Sequence, residues 1–202
     1  MVTGAPRGPA LGWVEMAVLL AGGSLIAATW DPHLLDWQPE LAWQQPWRWW
    51  SAAWVHWSDG HRWANVAGTA LVAALGWRVP CDRPDALAWF AAWPLTQLGL
   101  VMQPELKHYG GLSGVLHAGV VIAALSLVQR ERGLRRALGA AILLAVALKI
   151  VIEHPWQGAL QRVAGWDIAI APAAHLTGAA AGLACAAFAA AWRWRSRVES
   201  TR

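Results

Sequence analysis

The 202 residues are 57% hydrophobic and only 14% charged, with a formal net charge of +4. Soluble domains carry nearer a quarter charged residues. This composition therefore excludes an ordinary water-soluble domain and points to a single polytopic membrane domain over residues 1–202. The basic excess does not argue for nucleic acid, because the arginines fall in groups between or beyond apolar stretches, the pattern of cytoplasmic loops under the positive-inside rule. These groups are Arg7; Arg78 and Arg83; Arg130, Arg132, Arg135 and Arg136; and Arg193, Arg195, Arg197 and Arg202.

Six apolar spans are predicted, at about 12–30, 61–78, 85–102, 112–129, 134–152 and 168–192. The first has only Arg7 before it and no small-residue cleavage site with a soluble sequel, so it reads as a retained helix rather than a signal peptide. From Trp30 to Trp63 the chain holds more than half of its 17 tryptophans. Tryptophan favours the headgroup zone, where the ring is buried and the N–H stays wet, so this loop is expected to lie in the outer interface.

Span two carries His61 and Asn65, four apart and so on one helix face. An imidazole N–H and an amide NH₂ aimed together would make an oxyanion hole; a polar helix–helix contact is the alternative. Span three follows Cys81, which lies far from Cys185, and the two read as unrelated thiols. Span four opens on Gly110-Gly111-Leu112-Ser113-Gly114. A serine at a helix start meets unpaired backbone N–H groups and the positive end of the helix dipole, both of which favour an oxyanion nearby. Gly111 and Gly114 let backbone and substrate come close.

Near the outer end of span five, Lys149 has Glu153 one turn on. A snorkelling lysine with an i,i+4 partner accounts for the pair, and a role in recognising a substrate tail is the sharper alternative. Span six holds His175 with Gly178 and Gly182 on the same face. A histidine in hydrocarbon is costly, and the glycines allow another helix to approach it closely. Ser113 can then be a nucleophile activated by His175 as general base. Six crossings put both termini, with all the arginine groups, on the cytoplasmic side, and segments 31–60, 103–111 and 153–167 on the other.

Other chemistries lack their residues. No zinc-ligand spacing and no H-E-x-x-H occur, so no metal or other cofactor is expected. No paired intramembrane aspartates are found, no strand pattern supports a hydrolase elbow, and the halves show no inverted-repeat likeness of a transporter.

Taken in order, Trp47-Arg48, then His56-x4-His61-x3-Asn65, then Gly111-Leu112-Ser113-Gly114, then His175-x-x-Gly178-x-x-x-Gly182 resemble the rhomboid intramembrane serine proteases, with a core over about 47–192. The resemblance implies a six-transmembrane-helix all-α bundle with an interfacial loop between helices 1 and 2. It implies a catalytic dyad of Ser113 and His175 without an aspartate. His61, Asn65 and the Ser113 N–H would stabilise the oxyanion, and Arg48 and His56 would tie down the loop. The substrate would be a membrane-anchored protein with a transmembrane helix, cut near the outer face of the bilayer.

One position departs: many rhomboids place tyrosine four residues after the serine, where this chain has His117. The run from Tyr109 to His117 is more similar to the rhombosortase branch, which implies a bacterial inner-membrane enzyme processing proteins that end in a Gly-Gly motif, a hydrophobic helix and a basic tail. His117 is expected to pack on the His175 ring, with the alternative that it serves as the base itself. A catalytically inactive relative that binds client helices is the remaining rival.

Overall fold

The computed structural model describes residues 11–199. Arg7 and Arg202, counted above among the basic residues, lie outside them. The described residues form helices α1 (Leu11–Ala27), α2 (Pro32–Leu35), α3 (Arg48–Ser51), α4 (Asp59–Arg78), α5 (Arg83–Leu98), α6 (Ser113–Arg130), α7 (Gly133–Ile152) and α8 (Pro172–Glu199). A two-residue antiparallel ladder, β1 (Gln161–Arg162) with β2 (Ala169–Ile170), joins α7 to α8.

The helix starts follow local chemistry. Ser58 caps α4 by accepting from the His61 N–H at 3.1 Å. Asp82 and Asp85 form a capping box at the start of α5. By contrast, the residue before Ser113 is Leu112, and no side chain caps α6. The first-turn N–H groups of α6 therefore have no side-chain acceptor from the capping residue.

Helix α6 is the centre of the bundle and packs against α4, α5, α7 and α8. Its residues Val115, Ile122 and Leu127 are buried with Trp13, Trp89 and Trp93. Each of these indoles also spends its N–H on a backbone carbonyl of another element: Trp13 on Val72 (3.0 Å), Trp89 on Val115 (2.8 Å) and Trp93 on Trp50 (3.0 Å). Such rings supply large buried area and a fixed direction together.

The outer surface is strongly apolar: Leu134 is 86% exposed, Leu71 73% and Phe188 72%. Among the described residues, α6 and α8 are long and apolar enough to cross a membrane.

Arg130 at the end of α6 and Arg193 near the end of α8 both pair with Asp82 and Asp85. Arg135 donates to the Arg78 carbonyl at 2.9 Å. These basic residues therefore share one end of the bundle. Several are committed to intramolecular partners, a role that the charge pattern alone did not assign them.

Several expectations are corrected. The first helix stops at Ala27, three residues before Trp30, because a turn carries the chain into the loop. Span three ends as α-helix at Leu98 and continues as a 3₁₀ turn, Gly99–Met102. The last helix begins at Pro172, not 168, because residues 169 and 170 pair as a strand with 161 and 162. The tryptophan loop is not all interfacial. Trp37 is fully buried, and its backbone pairs with Tyr109 in both directions (2.7 and 3.0 Å). Trp43 and Trp47 remain exposed, as the belt reading expects.

Candidate active site

Ser113 begins α6 and His175 lies in the first turn of α8, so both stand at the end of the bundle opposite the arginines. Their approach depends on glycine. A Cβ added at Gly178 would lie 1.9 Å from the Gly114 carbonyl oxygen, and one at Gly182 would lie 2.7 Å from Ala118 Cα. One at Gly114 would lie 2.6 Å from the Ala174 carbonyl oxygen. The two backbones cross with no room for a side chain between them, the packing that small residues permit. Across this crossing Ser113 Oγ is 2.9 Å from His175 Nε2.

His175 has a second partner. Its Nδ1 lies 2.6 Å from Glu153 Oε2 at the C-terminal cap of α7. A carboxylate only accepts, so Nδ1 carries the hydrogen and Nε2 presents its lone pair to the serine hydroxyl. The other oxygen of Glu153 accepts from Lys149. Lys149 Nζ and His175 Nδ1 are 3.4 Å apart, but both are donors, and their proximity reflects the carboxylate they share. Burial pushes the Glu153 carboxyl up, yet the hydrogen bonds from His175 and Lys149 outweigh it and hold the group at about 2. His154, the next residue, sits in the left-handed region (φ 47°) and turns the chain away from α7. The resemblance implied a dyad without an aspartate and did not foresee this contact: Glu153, read from the sequence as the i,i+4 partner of Lys149 or part of a substrate-tail site, also bonds to the candidate base.

His61 and Asn65 are buried on the face of α4 turned toward Ser113 and line the same cavity as Ser113 and His175. A Cβ at Gly111 would meet His61 Cε1 at 2.8 Å, so a side chain there would displace the ring. Gly111 also has φ 146°, a conformation that favours glycine. Asn65 Nδ2 donates to the His61 carbonyl at 3.1 Å, which leaves one amide hydrogen for a ligand. His61 Nδ1 has no hydrogen-bond partner among the described residues.

Sequence reasoning did not single out Tyr109. It is buried beside Gly111, and its hydroxyl donates to the Gly111 carbonyl at 3.3 Å. Burial pushes its phenol above the ordinary range, partly offset by a hydrogen bond with Ser113. In the sequence it stood out only as the first residue of the run from Tyr109 to His117, with no role assigned to its side chain.

His117 stacks on His175 with ring centroids 4.4 Å apart and planes 18° from parallel. Its Nδ1 donates to the Ser113 carbonyl at 2.6 Å, one turn back on its own helix. That bond occupies Nδ1 of His117, and the imidazole in contact with Ser113 Oγ is that of His175.

The loop residues act at a distance from the serine. Arg48 is buried and spreads its guanidinium over four acceptors: the Asp36 carbonyl (2.6 Å), Asp36 Oδ1 (2.9 Å), the His33 carbonyl (3.0 Å) and Gln45 Oε1 (2.7 Å). It thereby fastens residues 33–48 into one body. His56 donates from Nδ1 to the Trp54 carbonyl at 3.0 Å, and its ring stands edge-on to His61 at 4.9 Å. Burial depresses His56 to about 3, so it is neutral at ordinary pH.

Ser113, His175, Glu153, His61, Asn65, Tyr109 and His117 border a cavity of about 910 Å³, while Arg48 and His56 stand outside it. Its polar end holds Ser113, His175, Glu153, Lys149, His61 and Asn65. Its helix walls are apolar, from Gly68 and Leu71 on α4, Val120 on α6 and Val146 on α7, and the loop side adds His33, Trp57 and His108. The β1–β2 turn covers the polar end through Trp166, whose ring stands edge-on to His61, and Asp167, which accepts from Ser58 at 2.8 Å. Such an arrangement can bind an extended chain, take a proton from a serine and stabilise negative charge on an oxygen. Comparison with protein-family models and with curated proteins finds no match to this chain.

Proposed function

We propose that this chain is an intramembrane serine endopeptidase of the rhomboid type, closest to the rhombosortase branch, spanning the membrane with α1 and α4–α8. The carrying observation is the 2.9 Å contact of Ser113 Oγ with His175 Nε2 beside a cavity with apolar helix walls. The apolar surface of the bundle supports a lipid environment, since a monomer in water rarely exposes so much.

In this reading the substrate is a membrane-anchored protein whose helix unwinds near the outer face. Its apolar residues lie along Leu71, Val120 and Val146, and its scissile carbonyl sits over Ser113. Ser113 Oγ attacks the carbonyl carbon while its proton passes to His175 Nε2. The tetrahedral oxyanion is met by the Ser113 N–H, left without a helix partner or side-chain cap, and by His61 and Asn65. The His175 imidazolium returns the proton to the leaving amine. Water from the polar end then repeats the sequence on the acyl-enzyme.

A fluorophosphonate probe should label wild-type protein in detergent and leave Ser113→Ala unlabelled at unchanged thermal stability. Ser113→Ala should also fail to cleave a membrane-anchored test protein carrying a Gly-Gly, helix and basic-tail ending. Labelling or cleavage that survives in Ser113→Ala overturns the protease reading, and an unlabelled, inert wild type favours a client-binding relative. The inner-membrane placement predicts a cytoplasmic signal from a C-terminal reporter and an external one from a tag near Gln38.

A further inference from the structure

Resting on the serine-protease reading, we infer that Glu153 is the third member of a Ser113–His175–Glu153 triad, a positioning carboxylate that fixes the tautomer and direction of the base. The three side chains come from three helices and stand in line: Oγ to Nε2 at 2.9 Å, then Nδ1 to Oε2 at 2.6 Å. The two bonds leave from opposite sides of one imidazole. A ring with Nδ1 unpartnered is free to carry its hydrogen on either nitrogen, and with the hydrogen on Nε2 it cannot accept from serine. The carboxylate removes that alternative because it accepts and never donates while ionised.

Glu153 is built for this task. Its side chain is 17% exposed and ends α7, where His154 reverses the chain. Lys149, one turn earlier, holds Oε1, so Oε2 is aimed at His175 and the carboxylate cannot swing between partners. Stacking of His117 on the face of the His175 ring holds the plane of that ring, and Glu153 fixes its rotation within the plane. A lysine–glutamate pair serving only to anchor a helix end at the interface would not need the second oxygen on a histidine that touches the nucleophile.

The proton balance follows the triad pattern. When Ser113 Oγ bonds to the electrophile, its hydrogen moves to Nε2, and the resulting imidazolium keeps its Nδ1 hydrogen on Glu153. Glu153 stays ionised throughout and takes no proton. With a fluorophosphonate the Oγ–P bond forms, the P–F bond breaks, fluoride leaves, and the serine proton rests on His175.

The test is saturation kinetics of fluorophosphonate labelling on the full chain in detergent, which separates probe binding from the chemical step. Glu153→Gln, nearly isosteric, should lower the maximal labelling rate by up to about 10⁴-fold, the loss that follows when the carboxylate of a Ser-His-Asp triad becomes an amide. The half-saturating probe concentration should change less than threefold, because Glu153 does not touch the probe. Glu153→Asp, which restores the charge on a shorter arm, should recover at least tenfold over Glu153→Gln. A wild-type maximal rate in a folded Glu153→Gln overturns the proposal while leaving Ser113 and His175 as a dyad. A loss confined to the half-saturating concentration overturns it in favour of substrate-tail recognition. Equal losses in Glu153→Gln and Glu153→Asp, with a lowered unfolding temperature in both, overturn it in favour of a purely structural helix anchor. Wild-type protein that is never labelled refutes the underlying protease reading instead.

Discussion

Replacing Gly178 by alanine tests the helix crossing on which the whole site depends. The added Cβ would stand 1.9 Å from the Gly114 carbonyl oxygen, 2.6 Å from its carbon and 3.0 Å from its Cα. All three are backbone atoms, so no side-chain rotation relieves the clash. Ordinary contact begins near 3.4 Å, and α6 and α8 must therefore part by about 1.5 Å at this level. His175 lies three residues before Gly178 on the same face, so most of that displacement reaches its ring. The 2.9 Å contact with Ser113 would then lengthen beyond hydrogen-bond range. A misplacement of about 1 Å commonly costs about 10²-fold in rate, and overpacking of a tight contact costs about 1–3 kcal/mol. Gly178→Ala should thus lose about 10²-fold in fluorophosphonate labelling rate and unfold at a lower temperature. Gly22→Ala is the control, since a Cβ there meets nothing within 4 Å, and it should keep full labelling. Wild-type labelling in Gly178→Ala would refute the argument that backbone contact sets the serine–histidine distance.

Three further outcomes follow from the same geometry. His61→Ala and Asn65→Ala should each lower kcat by about 10²–10³-fold on a membrane-anchored substrate with KM little changed; a change in KM alone would make that residue a binding group. His117→Tyr should keep substantial activity, because His117 stacks on His175 and its Nδ1 is spent on the Ser113 carbonyl, whereas His175→Ala should lose nearly all; the reverse pattern would transfer the base role to His117. The depressed Glu153 carboxyl contributes stability that is complete above its ordinary value of 4.5 and is lost as pH falls toward about 2. The unfolding temperature should therefore drop across that window in wild type and drop less in Glu153→Gln, and equal slopes would show that the carboxylate is not held by its partners.

The long helices were legible because each is an apolar run set off by charged groups such as the arginines after span four, whereas the Ser58 cap and the Asp82–Asp85 box emerged only from the structure. What composition could not locate was where hydrogen bonding changes type. Residues 169–170 are as apolar as the helix they precede, and only their pairing with 161–162 makes them strand. Ser113 and His175 were legible because the glycines beside each announce a close crossing. Glu153 was not, since Lys149 at i−4 already accounted for it locally, and its bond to His175 spans 22 residues of chain. Tyr109 was hidden for a similar reason: its burial depends on pairing with Trp37, far back in the loop. Local patterns reveal residues that serve their own helix, and a residue recruited by another element shows only once the elements are packed.

Two polar clusters stand at opposite ends of the bundle, and the contrast between them is a physical reason to look for chemistry at the serine end. At the arginine end, Asp82, Asp85, Arg130 and Arg193 satisfy one another, and none of the four borders the 910 Å³ cavity. Groups so mutually committed stabilise a helix junction and have nothing to offer a ligand. At the other end the polar groups are held but not exhausted. Glu153 and His117 fix His175, while Nε2 faces a hydroxyl that must surrender its proton for any reaction to begin. His61 keeps an unpartnered ring nitrogen, and Asn65 keeps one amide hydrogen. Leaving such groups unsatisfied in an apolar bundle costs about 1–3 kcal/mol each. Beside one serine, at the uncapped start of the central helix, they stand where a site stabilising transient negative charge would use them.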